Sequence, residues 1–182
     1  MKIASCCCVV CAVALWFTVL ATAKEPDDAK KIETAKKVLG EAKIDFAEAF
    51  ATARKKVGEG KPLIGRVEMI KKSARFGFYF LQGEKVQEVE IDAKSGAVVK
   101  FEEKTEGLKA KKFADAIKSS AGAKVGFKKG MEIGATKAKG QLIEVEFELD
   151  GDKAFLELEY LASGKITRVR IDTKDPSSVT VK

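Results

Sequence analysis

Along the chain the spacing of apolar residues switches between two periods. Phe46, Ala49, Phe50, Ala53 and Val57 recur at the i, i+3, i+4, i+7, i+11 positions that share one face of a helix. Asp45 stands at the N-cap, and Glu48 three residues on completes a capping box. Gly58, Gly60 and Pro62 then end the helix. Beyond it the period falls to two. Phe76, Phe78 and Phe80 alternate with Arg75, Gly77 and Tyr79; Ile143, Val145, Phe147 and Leu149 alternate with Glu144, Glu146 and Glu148. Such alternation describes antiparallel strands with one face in a core. Gln82-Gly83 and Asp150-Gly151 read as hairpin turns. Strands at 85–92 and 153–160 follow, each closed by a Ser-Gly turn, and then strands at 97–103 and 165–172. Weaker first strands are expected at 63–71 and 131–138. Ala29, Ile32, Ala35, Val38 and Leu39 add a helical stripe over 27–39, ended by Gly40.

These elements suggest a duplication. Phe46-Ala47-Glu48-Ala49-Phe50 is echoed by Phe113-Ala114-Asp115-Ala116-Ile117, 67 residues on. Gly83-Glu84-Lys85 is echoed by Gly151-Asp152-Lys153, and Ser95-Gly96 by Ser163-Gly164, both 68 residues on. The expected fold is α+β: two tandem units, each a helix packed on an antiparallel sheet of about four strands. The division is 24–41 for an N-terminal helix, 42–104 for the first unit and 105–182 for the second. A unit of that size is marginal alone, so the two should lean on each other.

Residues 1–23 have the layout of a secretory signal: Lys2, an apolar run from Ile3 to about Leu20, and the small-x-small sequence Ala21-Thr22-Ala23 before polar residues. Cleavage after Ala23 would release a secreted or periplasmic protein; an uncleaved segment would be an N-terminal membrane anchor. All four cysteines lie within the first eleven residues, so the cleaved chain would have none. The chain has no histidine, which excludes Ser-His-Asp and Cys-His catalysis and His-ligated zinc. No cofactor or metal is expected, and the chain reads as a non-enzyme.

The stretch from Val89 to Val98, Val-Glu-Ile-Asp-Ala-Lys-Ser-Gly-Ala-Val, follows a helix with a Phe-Ala-x-Ala core and intervening strands. Together they resemble the PepSY domain, which has a helix, antiparallel strands and a closing Asp-x-x-Ser/Thr-Gly turn. Asp92 and Gly96 match that turn; the second unit keeps Ser163-Gly164 without an aspartate before it, its Asp172 lying one strand later. The resemblance implies an exported, non-catalytic module of the kind found in propeptides of secreted metalloproteases and in cell-surface proteins. Such a module would inhibit a peptidase, or modulate another envelope protein, by occlusion. By chemistry alone, Asp92 and Gly96 are explained as a tight turn.

Three other constellations stand out. Tyr79, Leu81 and Phe155 fall out of phase with the core series and are candidates for a partner-binding patch on an open sheet face, or for contact between the units. Glu144, Glu146, Glu148, Glu157 and Glu159 read as the solvated face of two amphipathic strands. Ten lysines against three acids in 104–140 could hold an anionic envelope polymer, the alternative function; two aromatics are too few for a nucleic-acid stacking platform.

Overall fold

The structure, a computed structural model, describes residues 26–104 and 111–182. The expected signal at 1–23 lies outside the described residues. Two helices, α1 (Pro26–Glu41) and α2 (Phe46–Val57), lead into β1 (Lys61–Ile70), β2 (Ser73–Gln82), β3 (Lys85–Asp92) and β4 (Val98–Lys104). Two more, α3 (Lys111–Ser120) and α4 (Phe127–Lys137), lead into β5 (Gln141–Asp150), β6 (Lys153–Ala162), β7 (Lys165–Asp172) and β8 (Val179–Val181). The eight strands form one antiparallel sheet in the order β4-β3-β2-β1-β5-β6-β7-β8.

The two sets of strands are therefore not separate sheets. They join where β1 pairs with β5 over Ile64↔Glu146, Gly65↔Val145 and Arg66↔Glu144. Directly opposed residues share a face, so the registers trace rows across the sheet. One row, Phe101, Val89, Phe78, Gly65, Val145, Leu158, Val169 and Val181, crosses all eight strands. It is the spine of the core, buried at its middle and exposed at both ends, where Phe101 and Val181 are 44% and 48% exposed.

Helices α2 and α4 cover this apolar face. The capping box at Asp45 and Glu48 is formed as expected: the Glu48 amide donates to Asp45 Oδ1 at 2.8 Å and the Asp45 amide to Glu48 Oε2 at 2.9 Å. Phe46 then meets Phe76 and Phe78 edge-on, with ring centroids 5.9 and 5.3 Å away, and Phe50 lies over Phe78 and Phe80. Phe127 of α4 touches both Phe50 and Phe147, at 5.6 and 5.8 Å, so one ring stitches the two strand sets together.

The expected strand at 131–138 is helix α4. Its buried positions are Phe127, Gly130 and Gly134, at helical spacing, and two of the three are glycines that a count of apolar residues passes over. A Cβ on Gly130 would stand 2.2 Å from Leu156 Cδ2, so the glycine lets the helix backbone approach the sheet. The spacing of 67–68 residues also gives way. Strands β1, β2 and β3 start at Lys61, Ser73 and Lys85, and β5, β6 and β7 start 80 residues later at Gln141, Lys153 and Lys165. Gly83 lies in the β2–β3 turn whereas Gly151 lies in the β5–β6 turn, so the shorter spacing had slipped by one hairpin.

Candidate binding surfaces

The second face of the sheet is charged. A row of Lys100, Glu90, Gly77, Arg66, Glu144, Glu159 and Arg168 runs across it beside the apolar spine. Helices α1 and α3 lie over this face, and that changes the glutamates. Glu88, Glu90, Glu144, Glu146, Glu157 and Glu159 are all buried, at 4–9% exposure, in place of the solvated faces expected from alternation. Burial of ionised carboxylates demands partners. Lys31 of α1 reaches Glu144 at 2.7 Å and Glu159 at 2.8 Å. Arg168 donates to Glu159 at 2.9 Å and also holds Asp28 of α1. Arg170 links Glu157, Glu148 (2.8 Å) and Asp150 (3.1 Å). On the other flank Glu88 accepts from the Tyr79 hydroxyl at 2.8 Å and from Lys100 at 2.6 Å.

The titration behaviour follows. Burial by itself would lower Lys31, but Glu144 and Glu159 outweigh it and raise its pKa. Glu157 is pushed above the usual 4.5 by burial, which Arg170 only partly offsets. Glu88, Glu90, Glu144, Glu157 and Glu159 are paired in place with Lys or Arg, and the pairs to Lys31 tie α1 to the strands. Among the described residues no group of three Asp or Glu side chains is arranged to hold a metal ion.

The candidate patch of Tyr79, Leu81 and Phe155 is not an open face. Tyr79 is buried at 8% exposure beneath Phe113 of α3, its ring centroid 5.2 Å away. Leu81 is half-buried against the core, and Phe155 is half-buried with the Arg170 guanidinium 5.4 Å above its ring. Tyr79 thus serves contact between the two parts of the chain.

The turn residues behave as turn chemistry requires. Asp92 Oδ1 accepts from the amides of Lys94 (3.2 Å) and Ser95 (2.9 Å) and from the Ser95 hydroxyl (2.9 Å). These bonds hold its carboxyl below the usual 3.8. Gly96, at φ 72°, donates to the Asp92 carbonyl. In the second half the same work is done by Asp172, whose Oδ1 accepts from Lys174 (2.8 Å) and Asp175 (3.1 Å). Gly164, at φ 73°, turns the β6–β7 hairpin, so Ser163-Gly164 is not the counterpart of Ser95-Gly96.

The described lysines of 104–140 fall on several elements. Lys104 is held by Glu88 and Glu102, and Lys109 lies outside the described residues. Lys118 sits on α3, while Lys128, Lys129 and Lys137 sit on α4, against the opposite face of the sheet.

What remains open is the edge of the sheet. Strand β4 has β3 on one side only, and Val98, Val99 and Phe101 are 37%, 46% and 44% exposed. Lys56 of α2 lies over Phe101, with Nζ 4.9 Å from its ring centroid. The run Val98-Val99-Lys100-Phe101 carries this signal in the sequence, but only its place at the edge makes it legible.

No family model matches the chain, and no curated protein matches it. Among solved structures, the crystal structure of a candidate lipoprotein from Clostridium difficile 630 is similar over 78% of this chain and 95% of its own, at 16% identity and a TM-score of 0.42. No helix among the described residues is long and apolar enough to cross a membrane.

Proposed function

We propose that the chain is an exported, non-catalytic binding protein of duplicated, PepSY-like plan that occludes a peptidase or another envelope protein by offering its β4 edge. The supporting observation is the apolar row that runs out to Phe101 with no strand beyond it among the described residues. An extended segment of a partner laid beside β4 would gain main-chain hydrogen bonds and continue that row over Val99 and Phe101. Duplication is supported by the constant 80-residue spacing of three strand starts, and by Asp92 and Asp172 making the same turn. Export rests on the signal-like residues 1–23.

The test is addition of the purified chain to the peptidase activity of its own source's culture medium. Inhibition by the unaltered chain, lost in Val99→Lys/Phe101→Glu with an unchanged melting temperature, supports the reading. Equal behaviour of the two, or no inhibition, refutes it.

A further inference from the structure

A groove of about 550 Å³ lies on the apolar side of the molecule, where the α1–α2 connection, the start of α2, helix α4 and the start of β5 converge. Its volume is that of a small-molecule site. Leu39, Ile44, Phe46, Met131, Ala135 and Leu142 supply an aliphatic and aromatic wall. Lys43, Asp45, Glu48 and Gln141 are exposed at its mouth, and among the lining residues the buried polar side chain is that of Tyr160, at 4% exposure.

The Tyr160 hydroxyl is unusual within this protein. The other tyrosine, Tyr79, donates to Glu88, whereas no protein group among the described residues bonds to Tyr160. Burial alone pushes its pKa up to about 12, so it stays neutral and keeps its proton to donate. Gly134 of α4 makes room for it, since a Cβ there would stand 2.5 Å from the oxygen. Eighty residues earlier the position is Phe80, fully buried with no oxygen. A phenylalanine would fill the core equally well; the added hydroxyl serves something that enters the groove.

The rim selects against charge. Asp45 and Glu48 at the groove mouth are engaged in the capping box, and Lys43 beside them is exposed, so the charges stay at the solvent edge and the buried wall itself carries none. We infer that the groove is a binding site for a small neutral amphiphile, an aliphatic body carrying one hydroxyl or carbonyl group that pairs with Tyr160. This site is independent of the β4 edge.

The experiment uses the full chain and two probes of equal length, 1-octanol and 1-chlorooctane, each displacing the neutral fluorophore N-phenyl-1-naphthylamine. Both should compete at one site per chain. Ala135→Trp, on the exposed side of α4, should fill the groove and weaken both probes more than about tenfold while the melting temperature holds. Tyr160→Phe should weaken 1-octanol by roughly three- to tenfold, the worth of one hydrogen bond, and leave 1-chlorooctane unchanged. Absence of saturable fluorophore binding, indifference to Ala135→Trp, or an equal effect of Tyr160→Phe on both probes would overturn the assignment.

Discussion

The ring of Phe113 in α3 stands edge-on to the ring of Tyr79 in β2, with an interplanar angle of 68°. A helix that precedes the second set of strands thereby completes the cover over the first. Helix α1 does the converse, sending Asp28 and Lys31 to Arg168, Glu144 and Glu159. Each helix packs mainly on its own strand set and reaches across to the other. Phe113→Ala should therefore destabilise the whole chain by about 2 kcal/mol, half-buried as the ring is. Denaturant unfolding followed by both near- and far-ultraviolet circular dichroism should stay a single transition. A fragment of residues 109–182, deprived of β1 beside β5, should not reach the stability of the full chain.

Glycine at helix position 130 inverts a common rule. Gly→Ala in a helix interior ordinarily stabilises by up to about 1 kcal/mol. Here the new methyl would stand 2.2 Å from Leu156 Cδ2, and Leu156 is fully buried, so it can yield only by displacing its neighbours. Gly130→Ala should destabilise by about 1–3 kcal/mol, read from the urea midpoint, while Gly122→Ala is unsuitable as a control because of its φ of 70°.

That same glycine shows where reading the sequence stops. Helix α2 was legible because Phe46, Ala49, Phe50, Ala53 and Val57 are apolar and Asp45 and Glu48 mark the start. Helix α4 was not, because its backbone takes the place of side chains at Gly130 and Gly134. Alternation found β2, β3, β5 and β6 and told which residues share a face. It could not say that the charged face of β5 and β6 would be covered, since the cover is α3, and the counterion Lys31 comes from α1, about a hundred residues away. The joining of β1 to β5 was equally hidden: it rests on a register of three residue pairs between distant strands.

Glu157 should leave a signature in the pH dependence of stability. Its pKa in the folded protein lies above the 4.5 of the unfolded chain. Between those two values the folded state takes up a proton that the unfolded state does not. This group's contribution to stability therefore rises as pH falls through the raised value toward 4.5. Glu157→Gln should remove that component, and it should cost little at pH 7 because Arg170 keeps Glu148 and Asp150. Melting temperatures of the two proteins across pH 4.5–7.5 provide the measurement.

Asp92 and Asp172 should both be costly to lose, Asp92 the more because it also accepts from the Ser95 hydroxyl and pairs with Arg75. Each accepts two backbone amides just beyond β3 or β7, so alanine at either should cost about 1–2 kcal/mol. Asp92 has the opposite pH sign to Glu157. Held below 3.8, its contribution is present above that value and fades as pH falls through its depressed folded pKa. Chemical denaturation of Asp92→Ala and Asp172→Ala side by side, at pH 7 and pH 3, tests both statements.

The link between Asp28 and Arg168 spans 140 residues of sequence. In a chain made or exported from its N-terminus, α1 emerges first and its counterion arrives almost at the end. Until then Lys31 also lacks Glu144 and Glu159. Closure of α1 is a late event by construction, and slow in the way long-range contacts are slow. The order of synthesis thus reserves the locking step for a molecule whose every strand is already available.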